Sequence, residues 1–527
     1  MIDTKALRQK ILDMAIKGKL VPQNPDDEPA SVLLERIRAE KQQLIKEGKI
    51  KKDKNDSIIY KGDDNRYYEK VGSEVKDITD ELPFEIPDNW VWTRFSTLIR
   101  IISGVSYDKN DVATKGIRIL RGGNINDLRV TPFSDDVYLP ETYYDPDKQV
   151  QIDDVLIVAS TGSKEVIGKA GYVIEPLENT QIGAFLRIVR PLLKWYAPYV
   201  KLIFATEYYR EHIRHLSGGT NINNIKADYI NAFLISLPPY AEQIRIAERI
   251  NSLFEQIEII EQNQADIDNL YEEFRKRALT LAIQGKLVPQ NPNDEHASVL
   301  LERIRAEKKV KFGKKYVDSY IYKGDDNCYY EKVGEIVTNI SDEIPFDLPE
   351  NWAWCRLQMI CLYIHRGKSP TYGTERILPI IAQKCNQWSG IQTQKCLFAD
   401  RATIKKYTEE QYLCVGDIII NSTGTGTVGR TGYVDDKLFK EYPKFVADSH
   451  ITVVRPLEYI DSKYIYLFLK SPVIQTDIEA KCSGSTNQIE LATKTIQSYL
   501  IPLPPAMEQH RIVSMFFSLE AKVKDEG

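Results

Sequence analysis

The sequence predicts a mixed α/β protein made of two copies of one large module with a long helix between them. Three observations carry this: a long block that returns almost unchanged, short β-branched runs bounded by Gly, Pro and Asp, and a stretch of more than forty residues without Gly or Pro. At 527 residues the chain has length for about three or four folding units. Its 43% apolar and 28% charged residues are ordinary globular composition, which excludes a disordered chain. Lys plus Arg number 70 against 75 Asp plus Glu, a net charge of −5, so any nucleic acid must be held by a local surface.

The N-terminus has no long apolar core of a secretory signal, and no run approaches the length of a membrane span, so a cytoplasmic protein is expected. From there the repeat begins. GKLVPQNPDDEPASVLLERIRAEK (18–41) returns as GKLVPQNPNDEHASVLLERIRAEK (285–308), changed only at Asp26/Asn293 and Pro29/His296. YKGDDN recurs from Tyr60 and Tyr322, and ELPFEIPDNWVW (81–92) matches EIPFDLPENWAW (343–354). The tryptophans Trp90/Trp92 and Trp352/Trp354 alternate at strand spacing and are expected to pack the start of each module.

Further along, DDVLIVASTG (153–162) resembles GDIIINSTG (416–424), SGGTN from Ser217 pairs with SGSTN from Ser483, and LPPYAEQIRI (237–246) pairs with LPPAMEQHRI (503–512). The runs DVLIVAS, FLRIVRPL, GDIIINS and HITVVRPL read as strands. Between these signposts residues 93–152 and 355–415 align poorly, so one framework is expected to carry two different interiors.

Residues 241–284 hold no Gly or Pro, and a 4-3 seam runs Ile246, Ile250, Leu253, Ile257, Ile260, Gln264, Ile267, Tyr271, Phe274, Ala278, Leu281. That predicts a coiled-coil helix of about 65 Å. Gln264, its one polar seam position, either fixes register or marks where a partner helix ends. Leu7, Ile11 and Met14 sit where Phe274, Ala278 and Leu281 sit, while Ile512, Phe516, Leu519 and Val523 correspond to Ile246, Ile250, Leu253 and Ile257. The repeat is therefore expected to be circularly permuted, with the chain ends forming a broken second rod antiparallel to the central helix and related to it by pseudo-twofold symmetry.

With GKLVPQNP…ASVLLERIRAEK, IPDNWVW, GDIIINSTG and LPPYAEQIRI in place, the chain resembles the specificity (S) subunits of type I restriction-modification systems over nearly its whole length. The resemblance implies a conserved helical region at 1–80, a first target-recognition domain at 81–240, a central conserved region with the long helix at 241–342, a second target-recognition domain at 343–505 and a C-terminal helix at 506–527. It implies a non-catalytic subunit that reads a bipartite double-stranded DNA target, with two methyltransferase subunits and restriction/translocase subunits as partners and no membrane. S-adenosylmethionine, ATP and Mg2+ would belong to those partners, with no cofactor in this chain. A specificity subunit of a methylation-only or type II-like system, and a bivalent scaffold that binds no DNA, are the other readings. Charge placement fits DNA: residues 93–240 carry a net +1 and 355–505 a net +4, leaving −10 for the rest.

Several catalytic signatures fail. Gly424-Thr-Gly-Thr-Val-Gly429 has dinucleotide-loop spacing, but TGYVDD after it reads as a strand and not a helix. Residues 162–169 imitate a phosphate loop but place Ala170 where a magnesium-binding hydroxyl belongs. LPPY at 237–240 has Leu where an amino-methyltransferase needs a polar acceptor, which argues against a fused methyltransferase. His212 and His215 lack a third metal ligand, and the seven cysteines show neither zinc nor disulfide spacing, so reduced, scattered thiols are expected.

DNA-binding candidates remain. The STG turns offer hydroxyls and backbone N–H groups to phosphate at Ser160, Thr161, Ser422 and Thr423, with Lys164, Lys169 and Arg430 alongside. In the unlike interiors, Arg118, Arg121 and Asn124, then Arg366, Lys368, Arg376, Gln383, Lys384 and Asn386, have the side chains that pair with guanine or adenine edges.

Overall fold

The computed structural model describes residues 2–50, 56–216, 223–476, 478–484 and 489–526. The SGGTN segment and most of the SGSTN segment lie outside these. The chain divides into two compact units, Met1–Gln264 and Ala265–Gly527, each a mixed α/β body.

In the first unit, strands Ile99–Ser103, Leu186–Pro191, Val155–Val158 and Ala170–Tyr172 lie in that order in one sheet, with Leu128–Val130 and Ile125–Asn126 beyond them. The second unit repeats the order with Cys361–Arg366, Ile451–Pro456, Ile418–Asn421 and Thr431–Tyr433. Val155 pairs with Val189 and Ile418 with Val454, so the apolar runs read as strands form the sheet centres. All residues of Val155–Val158 and Ile418–Asn421 are buried, on both faces of the sheet, which is why these two strands carry no polar alternation.

The interiors that align poorly in sequence share a backbone frame. Ile117–Leu120 runs parallel to Thr180–Ile182, and Pro379–Ile381 runs parallel to Val446–Ala447. Gly104 and Gly367 occupy the same place in each: a Cβ on Gly104 would overlap the Gly183 carbonyl oxygen, and one on Gly367 that of Ala447. Packing of two backbones needs no particular side-chain sequence, so the shared frame left little trace.

Both units tie their ends together in one way. The helices Thr4–Ile16 and Tyr240–Ile283 are each followed by a left-handed glycine, Gly18 (φ +66°) and Gly285 (φ +69°), whose missing side chains make room for Pro87 and Pro349. Gln23 donates to Glu242 and Gln290 to Glu508, both at 2.6 Å, while Arg245 reaches Asp27 and Arg511 reaches Asp294 at 2.5 Å. All four tryptophans of the paired motifs are buried, and the Trp90 indole donates to Glu242 at 2.9 Å. The prolines of both LPP motifs end a strand, Leu234–Leu237 and Leu500–Leu503, before the helices Tyr240–Ile283 and Ala506–Glu526 begin.

Helix Tyr240–Ile283 is continuous, as the absence of Gly and Pro predicts. Ile246, Ile250 and Ile257 pack with Ile11, Leu12 and Ala15 in the first unit, and Ala278, Leu279, Ala282 and Ile283 share a core with Ile512, Val513 and Phe516 in the second. Arg8 pairs with Glu261 at 3.1 Å, and Gln264 donates at 3.3 Å to the carbonyl of Ile2, just before helix Thr4–Ile16 begins. Past it the seam opens: Ile267 is 52% exposed, because no described segment of its unit covers it.

Candidate nucleic-acid interface

In each unit four chain segments converge at one end of the sheet. In the first, Val105 N–H donates to the Ile182 carbonyl, Gly183 N–H to Leu120, and Ala159 and Ser160 N–H to Phe185, at 2.8 to 3.1 Å. These bonds gather residues 105–107, the turn after Leu120, the turn after Val158 and the residues before Leu186 around a cleft of about 530 Å³. Its lining is Val105, Ser106, Tyr107, Arg121, Gly122, Gly183, Ala184, Phe185 and Leu186. Phe185 is 70% exposed, an unusual state for a phenyl ring.

The second unit repeats two of these bonds with different side chains. Asp448 N–H donates to Ile381 and Ser422 N–H to His450, so His450 stands where Phe185 stands. Cys385 N–H donates to Ala382 as Asn124 N–H donates to Arg121, which puts Ala382 at the place of Arg121 and Gln383 at that of Gly122. Gln383 Nε2 donates to Thr423 through its carbonyl (2.5 Å) and its hydroxyl, and the Thr423 hydroxyl meets His450 Nδ1 at 2.8 Å. Beneath them, burial pushes the Asp448 carboxyl above the usual range, opposed by its acceptance of the His450 N–H at 2.9 Å.

One pair of contacts recurs in both units. Lys169 Nζ donates to Asn126 Oδ1 at 3.0 Å, and Arg430 to Gln387 Oε1 at 2.7 Å. Val158 N–H meets the Lys169 carbonyl as Asn421 N–H meets that of Arg430, so the two cations hold equivalent positions.

Not every candidate reaches this surface, and several are corrected by their burial. Asn124 is 2% exposed, and its amide holds the turn through the Arg121 N–H, the Thr131 carbonyl and Asp136. Asn386 and Ser422 are fully buried, bonded to Asn421 and the Arg430 carbonyl, and to Thr452. A short polar side chain just past a buried strand is consumed by the backbone beside it. Arg118 bonds the Tyr138 hydroxyl at 2.9 Å, and Arg366 pairs with Glu490 at 2.9 Å and with the Leu491 carbonyl. Both are held inside their own unit.

The other candidates are accessible. Ser160 and Thr161 are half-buried in a short pairing with Asn223–Asn224, and Lys164, Lys384 and Arg121 are exposed. Lys368 is exposed, donates to the Lys406 carbonyl at 2.9 Å and lies near the Tyr407 ring, while exposed Arg376 covers Phe398 at 5.2 Å. Phe185 and His450 were missed. FLRIVRPL and HITVVRPL read as strands from their first residue, whereas the strands begin one residue later, at Leu186 and Ile451.

Other chemistry-bearing residues lie apart from this surface. His212 packs on Phe233 at 4.6 Å, and burial lowers its pKa. The cysteines are free thiols, and among the described residues no three His, Cys, Asp or Glu side chains gather as a metal-holding group. No helix of the described residues is long and apolar enough to cross a membrane.

A family model for the type I restriction modification DNA specificity domain matches residues 87–269 and 389–526. The EcoEI specificity subunit of Escherichia coli is 26% identical over 97% of this chain and 88% of its own length. The EcoKI specificity subunit of Escherichia coli strain K12 is 30% identical over 42% of this chain and 48% of its own. A solved structure from a study of complex assembly and conformational transition of the type I R-M system covers 84% of this chain and 93% of its own at 16% identity, with a TM-score of 0.50, a likeness of fold.

Proposed function

The chain belongs to the type I restriction-modification DNA specificity family, and from that premise we propose that each of its two units reads one half of a split DNA target. It acts as the DNA-specificity subunit of a type I system and does no chemistry itself. Two methyltransferase subunits and restriction/translocase subunits are brought to the target by it, and S-adenosylmethionine, ATP and Mg2+ belong to them.

The observation that carries this reading is the same surface built twice with unlike side chains. Positions alike in the two units, Lys169 and Arg430 with their amide partners, suit DNA backbone, which is the same at any sequence. Positions that differ, Arg121 against Ala382, Gly122 against Gln383 and Phe185 against His450, suit base edges. Ser160, Thr161, Lys164 and Thr423 are assigned to phosphate, and Gln383, Lys384, Lys368 and Arg376 to the second half-site.

The same premise gives 81–240 and 343–505 as target-recognition domains and 1–80, 241–342 and 506–527 as the shared helical parts. The two chain-end helices pair with the central helix as antiparallel coiled coils, and the repeat is circularly permuted. Matched burial supports this: Ile11, Leu12, Ala15 and Ile16 in one copy, Ala278, Leu279, Ala282 and Ile283 in the other.

Mapping methylated adenines in cells that carry this chain with its methyltransferase tests the function. A two-part methylated motif that disappears when the chain is deleted is expected. DNA footprinting of the assembled complex separates it from a bivalent scaffold, which would protect no DNA.

A further inference from the structure

Phe185 stands free at the rim of the first unit's cleft although its neighbours Leu186 and Ile188 are fully buried. It is fixed by backbone: its carbonyl accepts from both Ala159 and Ser160, and Gly104 presses on Gly183 two residues before it. Tyr107 and Arg121 line the same cleft, Arg121 is exposed, and among the described residues no carboxylate pairs with its guanidinium. A rigid apolar wall next to an uncommitted guanidinium has a specific complement on double-stranded DNA. The thymine 5-methyl is the apolar group in the major groove, and guanine O6 and N7 form the acceptor pair that an Arg fork fits.

We propose that this cleft receives a thymine beside a guanine, Phe185 and Tyr107 covering the thymine methyl and Arg121 pairing with the guanine. The proposal rests on the reading of each unit as one half-site reader, and it adds the base step. The second unit has Ala382 and His450 at these places, so it reads a different step.

The test uses the assembled methyltransferase complex. Replacing residues 93–236 with a relative's interior first identifies which half-site belongs to the first unit; if neither half changes, the two-reader premise fails, whatever Phe185 does. Duplexes then carry deoxyuridine, which lacks the methyl, in place of each thymine of that half-site. One such replacement is expected to weaken binding about fourfold, the worth of one buried methyl-sized group. Phe185→Ala should bind the thymine and deoxyuridine duplexes equally, and Arg121→Ala should weaken binding about ten- to hundredfold and relax the adjacent guanine. The other half-site stays fully specified in both variants, which shows that they fold. A first half-site without thymine, or a wild-type complex indifferent to every deoxyuridine replacement, overturns the proposal. So does a Phe185→Ala complex that still prefers thymine.

Discussion

Asp154 and Asp417 have no solvent exposure, and each faces an arginine held by two parallel hydrogen bonds: Arg190 on Asp154 at 2.7 and 2.8 Å, Arg455 on Asp417 at 2.7 Å twice. Burial raises both carboxyls, and the arginine bonds oppose it. Removing one partner strands the other, so Asp154→Ala and Asp417→Ala should each cost about 3 kcal/mol in chemical denaturation. Glu242 is the complementary case, fully buried on the Trp90 indole and Gln23, with Arg245 and Asp27 as its charged neighbours. Burial, the largest cause, raises its pKa, so the folded state holds its proton more tightly than the unfolded one. Stability from this group is present below the ordinary carboxylate pKa and is lost as pH rises through the raised folded value. Glu242→Gln should therefore lose less stability than the wild type between about pH 4 and pH 7. Paired denaturation curves at the two ends of that range give the difference.

Between residue and unit stand the close contacts that hold the reading loops. Gly104 and Gly367 let one strand's exit press on the segment carrying Phe185 or His450, at a distance no side chain allows. Gly104→Ala must push that segment away, at a cost of roughly 1–3 kcal/mol. The expected signature is local: Gly104→Ala blurs one half-site of the methylation motif, and Gly367→Ala blurs the other. Loss of both halves from either substitution would show that the two elements are not independent. These frames were not legible in residues 93–152 and 355–415, because a glycine against a carbonyl fixes backbone geometry while leaving the surrounding side chains free to differ.

For the whole molecule, the helix Tyr240–Ile283 crosses from one unit into the other without a break. If it sets the separation of the half-sites, one heptad inserted after Gln264 lengthens it by about 10 Å and keeps the 4-3 seam in phase. The gap in the methylated motif should grow by up to about three base pairs, with both half-site sequences unchanged. A methylation map with the original gap would remove the helix as the ruler.

The sequence by itself determined the duplication, the strands at the sheet centres, the unbroken central helix and the family. Each is written in local terms: nearly identical strings such as 18–41 and 285–308, β-branched runs, and the absence of Gly and Pro. It also pointed to the turns where the candidate surface lies. The tertiary structure decided which residues of those turns are free to act. Asn124 and Asn386 had the chemistry of base readers and Ser422 that of a phosphate contact, but all three are buried and bonded to backbone and neighbouring side chains, and Phe185, which looked like a strand residue, stands in solvent. Side-chain type is a local property. Accessibility depends on which other segments close over a position, and here those segments are Thr131 and Asp136 over Asn124, Asn421 and Arg430 over Asn386, and Thr452 over Ser422.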